Sequence, residues 1–352
     1  MENRYIRHIL LDKIGEEGQK KLSVQTLAIV GCGGLGNIAA AYLAGAGIGE
    51  LILIDGDRPD ITNVHRQILY TGKETASKSR ALQLKLAELN PEIKYTVHEE
   101  RLSKENCERI LQDADLVLEC TDDPICKYLV NDFCVLENIP MIYGAIHKYE
   151  GYVSVFRNLE ENDIHLRDIF PQPDLNIPSC SEVGVLSTIA GMIGLMQANE
   201  ALKFILKIGE TLEGKLLTYN VLTYNQMKLS LQKSWTEDIE ELWETTDYTP
   251  LDCLIIPELA WSDARESRAN YNWISIMTKA EHHSICDLAT NHSISDLDEI
   301  VKISEEKPTI IYCRSGAKSK AFIGQLLNTH PYLELYNLAG GYMQYQKESS
   351  SD

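Results

Sequence analysis

The sequence predicts an α/β protein: a mostly parallel sheet with helices on both faces, followed by a second, smaller α/β domain. Three observations carry this. From Thr26 to Ile146, short apolar runs alternate with helical patterns, with candidate strands at 26–31, 50–55, 94–100, 116–120 and 139–146. A glycine-rich turn, Gly31-Cys-Gly33-Gly34-Leu-Gly36, joins the first of these strands to a run of small residues. A second strand–loop–helix pattern appears near the far end, Pro308-Thr-Ile-Ile-Tyr-Cys313 followed by Arg314-Ser315-Gly316-Ala317-Lys318-Ser319.

The segment from 26 to 67 organises the rest. Glycines at 31, 33 and 36 allow a tight bend, bring backbone close to a phosphate and pack helix on strand. The helix that follows offers free N–H groups and a partial positive charge. Asp55 closes the second strand, where a carboxylate can accept from ribose hydroxyls. Such a turn alone also suits a nicotinamide-dependent oxidoreductase. The next residues argue otherwise: in the stretch from Asp57 through Gln67 and on to Lys78, Asn63, Arg66 and Lys78 crowd the phosphate end. A hydride-transfer enzyme has no use for them, whereas attack on the α-phosphate of a triphosphate needs cations for the developing charge and the leaving pyrophosphate.

The remaining elements follow in order. Arg4-Tyr-Ile-Arg7 precedes a helical pattern running to Leu22; the two arginines either reach a site or are solvated. Helical patterns cover Lys78 to Leu89 and Lys104 to Ala114. The strand ending at Cys120 leads into Thr121-Asp122-Asp123 at the carboxyl edge of the sheet, where ligands bind. Asp122 is there either a Mg²⁺ ligand or a helix N-cap. Gly151 to Phe156 is a further strand, and a polar, proline-containing loop fills 157–182. Cys180 precedes a long apolar helix from Val183 to about Lys207; a helix N-terminus there would favour its thiolate, and an ordinary buried thiol is the alternative. Gly214 to Lys233 reads as a β-hairpin. Residues 234–250 read as an acidic linker, 251–346 as the second domain and 347–352 as a tail.

The formal net charge of −19 argues against nonspecific binding to nucleic acid or an anionic membrane. No run approaches the ~20 uninterrupted apolar residues of a membrane span, and the first residues do not read as a signal peptide. Nine cysteines without a C-x-x-C fit reduced thiols in a cytoplasm.

In the ordered set Arg4-Tyr-Ile-Arg7, Gly31 to Gly36, Asp55-Gly-Asp57, Asn63-Val-His-Arg66-Gln67, Lys78, Cys120-Thr-Asp122 and Cys180-Ser-Glu-Val-Gly184, residues 1–233 resemble the MoeB/ThiF adenylyltransferases that activate ubiquitin-like sulfur carriers. Cys313 to Ser319 and Asn337-Leu-Ala-Gly-Gly-Tyr342 resemble a rhodanese sulfurtransferase. The resemblance implies a Rossmann-like fold plus a small rhodanese-like domain. It implies ATP held by the glycine turn, ribose on Asp55, phosphates on Asn63, Arg66 and Lys78, and Mg²⁺ on Asp122. It further implies Arg7 reaching the other subunit of a homodimer, Cys180 as a thiol meeting the carrier, and Cys313 as the persulfide residue. The partner implied is a β-grasp carrier ending in Gly-Gly. Two departures stand out. Many members bind structural zinc through two C-x-x-C pairs; here Pro171-Gln-Pro173 occupies the first place and no cysteine lies around 233–241, so the sequence predicts no zinc and a loop held by packing alone. Lys318 stands where the rhodanese loop usually has arginine, keeping the charge without the fork of donors. A nucleotide-binding scaffold with an inactive rhodanese-like docking module is the alternative reading.

Overall fold

Strand β1 (Thr26–Val30) buries every side chain after Thr26, and β2 (Glu50–Ile54) buries every side chain after Glu50. Strands apolar on both faces need helices above and below. The computed structural model, which describes residues 4–173, 184–248, 256–278, 289–330 and 332–349, supplies them. The described residues through Tyr248 form one compact unit and those from Ile256 a second.

In the first unit, β1 and β2 are joined by β3 (Lys94–His98), β4 (Leu116–Glu119), β5 (Met141–His147), β6 (Glu150–Phe156), β7 (Lys215–Asn220) and β8 (Gln226–Ser230) in one eight-stranded sheet. Its order is β3-β2-β1-β4-β5-β6-β7-β8; the first five strands are parallel and the last three antiparallel. The chain leaves β1 for β2 on one side and later returns to β4 on the other. This reversal opens a crevice at the carboxyl ends of β1 and β4.

Helix α1 (Ile6–Ile9), α2 (Gly15–Leu22), α3 (Gly34–Ala46), α4 (Lys78–Leu89), α5 (Cys107–Leu111), α6 (Pro124–Leu136), α7 (Leu166–Ile169) and α8 (Ser187–Leu206) cover the faces. Small residues let α3 and α8 approach closely: a β-carbon on Gly194 would lie 2.4 Å from the Leu35 carbonyl oxygen. By length and composition α8 could cross a membrane, yet its own Ile189, Ala190, Ile193 and Ala198 are buried in the core.

Several expectations change. The helix expected over 104–114 shrinks to α5, because Asn106 turns back to accept from the Ser103 N–H at 2.8 Å. The helix expected from Val183 begins at Ser187, so any dipole effect starts beyond Cys180, which itself lies outside the described residues. Residues 234–248, expected as linker, belong to the first unit. Asp238 caps α9 (Ile239–Thr245), Trp243 packs on Phe133, and the Tyr248 hydroxyl donates to Asp132 at 2.5 Å.

The loop around 165–173 is not held by packing alone. Buried Arg167 makes a two-point ion pair with Asp132 (2.6 and 2.8 Å), donates to the Pro171 carbonyl and lies over the Tyr128 and Trp235 rings. The Asp168 carboxylate accepts from the N–H groups of His165, Ser234 and Trp235 at 2.6–2.9 Å. Burial would raise the pKa of Asp168, but these N–H groups more than offset it and hold the carboxyl below its usual range. Charge and hydrogen bonds thus tie 167–168 to 234–235, and among the described residues no cluster of His, Cys, Asp and Glu is arranged for a metal.

The second unit has a five-stranded parallel sheet, ordered β11-β10-β12-β13-β9 from β9 (Glu258–Leu259), β10 (Asn272–Ser275), β11 (Ala289–Asn291), β12 (Thr309–Tyr312) and β13 (Leu335–Leu338). Helix α10 (Trp261–Glu266), α11 (Leu297–Glu306), α12 (Ala317–Thr329) and α13 (Gly341–Ser349) accompany it. Its core gathers Trp273, Ile274, Ile310, Ile311, Tyr312 and Phe322.

Candidate active site

Beyond β1 the chain bends at Gly31 with φ +90°, and α3 starts at Gly34 with no side chain capping it. Its first-turn N–H groups are therefore left for an anion. The bend tolerates nothing larger at position 36, where a β-carbon would sit 1.9 Å from the Gly31 carbonyl oxygen.

The turn is ringed by the other expected residues. A β-carbon on Gly31 would lie 3.0 Å from Cys120 and Thr121; one on Gly34, 3.6 Å from Arg66; one on Gly33, 3.5 Å from the Gln67 amide nitrogen. Asn63 ends a 3₁₀ turn, Ile61–Asn63, capped by Asp60. Its carbonyl oxygen accepts from the N–H groups of Arg66 and Gln67 at 3.0 Å, which fixes both beside the turn. Buried Gln67 leaves its Oε1 without a partner. An unmet acceptor costs about 1–3 kcal/mol, and beside a phosphate turn it suits a ligand donor.

Asp55 braces the bend. Its Oδ2 accepts from the Cys32 N–H and its Oδ1 from the Asp57 N–H, both at 2.9 Å. A carboxylate has about four lone-pair positions, so two remain for ribose hydroxyls. Burial raises the Asp55 pKa.

Lys78 opens α4, behind the N-cap Ser77. A cation at a helix N-terminus opposes the helix dipole, so its presence needs a cause. Its Nζ lies 3.1 Å from the Asp57 carboxylate, and Arg101 takes the other Asp57 oxygen at 3.0 Å. Burial works against the ammonium, but Asp55, Asp57 and Asp122 more than offset it and raise its pKa. Lys78 is thus a buried, fully charged ammonium whose resting counter-ions are carboxylates.

Asp122 is exposed at the end of β4, within electrostatic reach of Lys78. The N-cap of α6 is Asp123, which accepts from the Ile125 N–H at 2.8 Å. Asp122 is thereby free of the capping role.

Arg7 is not brought to this site within one chain. The Tyr5 ring packs against Gly47 at the C-terminal end of α3, and the Tyr5 hydroxyl accepts from Asn90. Thirteen residues of helix put that end about 20 Å from Gly34. Arg7 is exposed there.

Sequence reasoning missed Tyr70, Arg101, Lys127 and Glu119. The buried Tyr70 hydroxyl donates towards the carbonyls of Cys32 and Lys78, tying the glycine turn to α4. Lys127 is the lone cation in the apolar stretch of α6, and that isolation was the available signal.

In the second unit Cys313 follows β12 and is 4% exposed. The loop curls round its sulfur: the Ser319 N–H donates to Sγ at 3.3 Å, and the Ser319 hydroxyl lies 3.4 Å away. That hydroxyl donates to Asn337 Oδ1 at 2.6 Å, and the Asn337 amide donates to Glu258 at 2.9 Å. The Tyr342 N–H holds the Cys313 carbonyl at 2.9 Å. Arg314, Ser315 and Lys318 are exposed around the rim, and Gly316, at φ +85°, caps α12.

Comparison with known proteins follows the same division. The ThiF family model matches residues 5–238. The chain belongs to the ThiF family. The rhodanese-like domain model matches 271–348. The sulfur carrier protein adenylyltransferase of Thermus thermophilus is 37% identical over 66% of this chain and 88% of its own length. The adenylyltransferase and sulfurtransferase MOCS3 of Drosophila willistoni is 29% identical over 99% of this chain and 84% of its own. The crystal structure of E. coli MccB with MccA-N7isoASN shares the fold, with a TM-score of 0.59 at 23% identity over 68% of this chain and 75% of that one. This ThiF-family chain is an adenylyltransferase that uses ATP, with a sulfurtransferase domain. The scaffold and oxidoreductase readings are not favoured.

Proposed function

We propose that this ThiF-family chain adenylates the C-terminal Gly-Gly carboxylate of a β-grasp sulfur carrier and that a persulfide on Cys313 then supplies the sulfur. One observation carries the reading. Arg66, Gln67, Lys78 and Asp122, drawn from separate stretches, gather round the uncapped helix turn at Gly33. The carrier carboxylate attacks the α-phosphorus and pyrophosphate leaves. Lys78 exchanges its Asp57 contact for phosphate oxygens, Arg66 and Asn63 steady the leaving group, and Asp55 and Asp57 orient the nucleotide. Asp122 would hold Mg²⁺, which neutralises phosphate charge when bound. The terminal sulfur of the Cys313 persulfide then attacks the acyl carbon and AMP leaves, giving an acyl disulfide. A thiolate, the role given to Cys180, attacks the Cys313 sulfur of that disulfide, so that the carrier thiocarboxylate leaves and a disulfide remains, which an external thiol reduces. Loop N–H groups, Arg314 and Lys318 favour the anionic sulfur.

The place of Arg7, two residues from the Tyr5 ring that packs at the end of α3 about 20 Å from the glycine turn, supports a homodimer in which it completes the other subunit's site. The acidic charge supports a protein that does not bind nucleic acid or anionic membrane nonspecifically, and nine cysteines without a C-x-x-C support a cytoplasmic one. The Asp132–Arg167 pair and the Asp168 hydrogen bonds support a loop that works without zinc. The test is pyrophosphate–ATP exchange with purified Gly-Gly carriers. Exchange should depend on the carrier; failure of every Gly-Gly carrier would end this reading.

A further inference from the structure

Lys127 and Glu119 form a buried ion pair that the mechanism leaves unused, and both bond to Thr121, next to Asp122. Their side chains are 13% and 0% exposed. Lys127 Nζ donates to Glu119 Oε2 at 2.5 Å, to the Thr121 carbonyl at 2.7 Å and to the Gly144 carbonyl on β5 at 3.2 Å. The other Glu119 oxygen accepts from the Thr121 N–H at 2.8 Å and from its hydroxyl at 2.5 Å. The three ammonium protons are all satisfied, and the pair grips the Thr121 peptide from both sides.

A buried ion pair is a poor way to gain stability, since apolar residues of similar volume serve as well or better. What this one does is local. Thr121 abuts Gly31 on one side and precedes Asp122 on the other. Past Glu119 the β4–β5 ladder ends, and Lys127 together with Gln197, whose amide donates to the Glu119 carbonyl at 2.7 Å, stitches the parting strands. The geometry points to Glu119 and Lys127 as a positioning pair that holds the Thr121–Asp122 turn against the glycine bend, so that the Asp122 carboxylate meets the metal of the bound nucleotide. This rests on the reading of Asp122 as the Mg²⁺ residue.

Calorimetric titration of the full chain with ATP, in EDTA and in MgCl₂, tests it without a carrier. The wild type should gain affinity when Mg²⁺ is present, and Asp122→Asn should lose that gain. Lys127→Met should keep its affinity in EDTA and lose the Mg²⁺-dependent gain by about tenfold or more, the usual cost of removing a residue that orients a metal ligand. Lys127→Arg, which can reach the same carbonyls, should restore it. Should Lys127→Met fail to fold, Glu119→Gln is judged by the same criterion. A normal Mg²⁺ gain in Lys127→Met, with Asp122→Asn deficient, overturns this inference and spares the assignment of Asp122. Equal losses in EDTA and Mg²⁺ also overturn it, because the pair would then be only structural. A normal gain in Asp122→Asn removes the metal assignment and this inference together.

Discussion

The glycine turn of the first unit and the cysteine loop of the second solve related problems with different materials. Both follow a parallel strand and lead into a helix, and both offer backbone N–H groups to an anion. The first adds charged side chains from four separated stretches: Asp55–Asp57, Asn63–Gln67, Lys78 and Asp122. The second is made within Cys313–Ser319, with Asn337 and Glu258 behind it. A triphosphate carries several charges spread over many ångströms and needs cations from several directions. One sulfur anion needs only a small cup of dipoles.

The sharpest way to break this contrast is a pair of substitutions. Lys78→Ala should reduce carrier-dependent pyrophosphate exchange by about 10³-fold and leave sulfur transfer from thiosulfate to cyanide, which needs no adenylate, unchanged. Cys313→Ala should do the reverse. Loss of both activities in either variant would contradict two separate sites.

The next effect belongs to the cup. Gly341 has φ +56°, and a β-carbon there would lie 2.3 Å from the Cys313 carbonyl oxygen. Gly341→Ala should displace the sulfur and lower sulfur transfer by about 100-fold while exchange persists. Ser319→Ala removes only one hydroxyl contact and should cost about tenfold. A larger loss for Ser319→Ala than for Gly341→Ala would mean that the hydroxyl, not the backbone, makes the cup.

The smallest expected effect is on stability. Burial pushes the His165 pKa down from 6.5 to about 4, with Lys233 adding to it. The unfolded chain takes up a proton near pH 6.5 that the folded chain refuses. Stability is therefore whole above about pH 6.5 and falls towards pH 4, by up to on the order of 3 kcal/mol. The urea midpoint of the first unit should follow that slope, and His165→Gln should flatten it.

The sequence made some of this plain and hid the rest. Helix Lys78–Leu89 and the edges of β1, β2 and β4 follow from local apolar runs, and the glycine spacing announces the phosphate turn. Arg101, Lys127 and Glu119 were not legible, because their meaning lies in partners set by strand order: Arg101 finds Asp57 only once β3 lies beside β2. The stretch 234–248 looked like linker for a similar reason. Its few apolar residues, Trp235, Trp243 and Tyr248, lack periodicity, yet each meets a side chain of the first unit, namely Arg167, Phe133 and Asp132.

The central claim is attack by a carrier carboxylate on the α-phosphorus of a nucleotide lying on the glycine turn. A Gly-Gly carrier with ¹⁸O in its terminal carboxylate, incubated with this protein, MgATP, thiosulfate and a thiol reductant, tests it most directly. The account predicts AMP bearing one ¹⁸O atom together with a thiocarboxylated carrier. Unlabelled AMP, or ADP in its place, would contradict it.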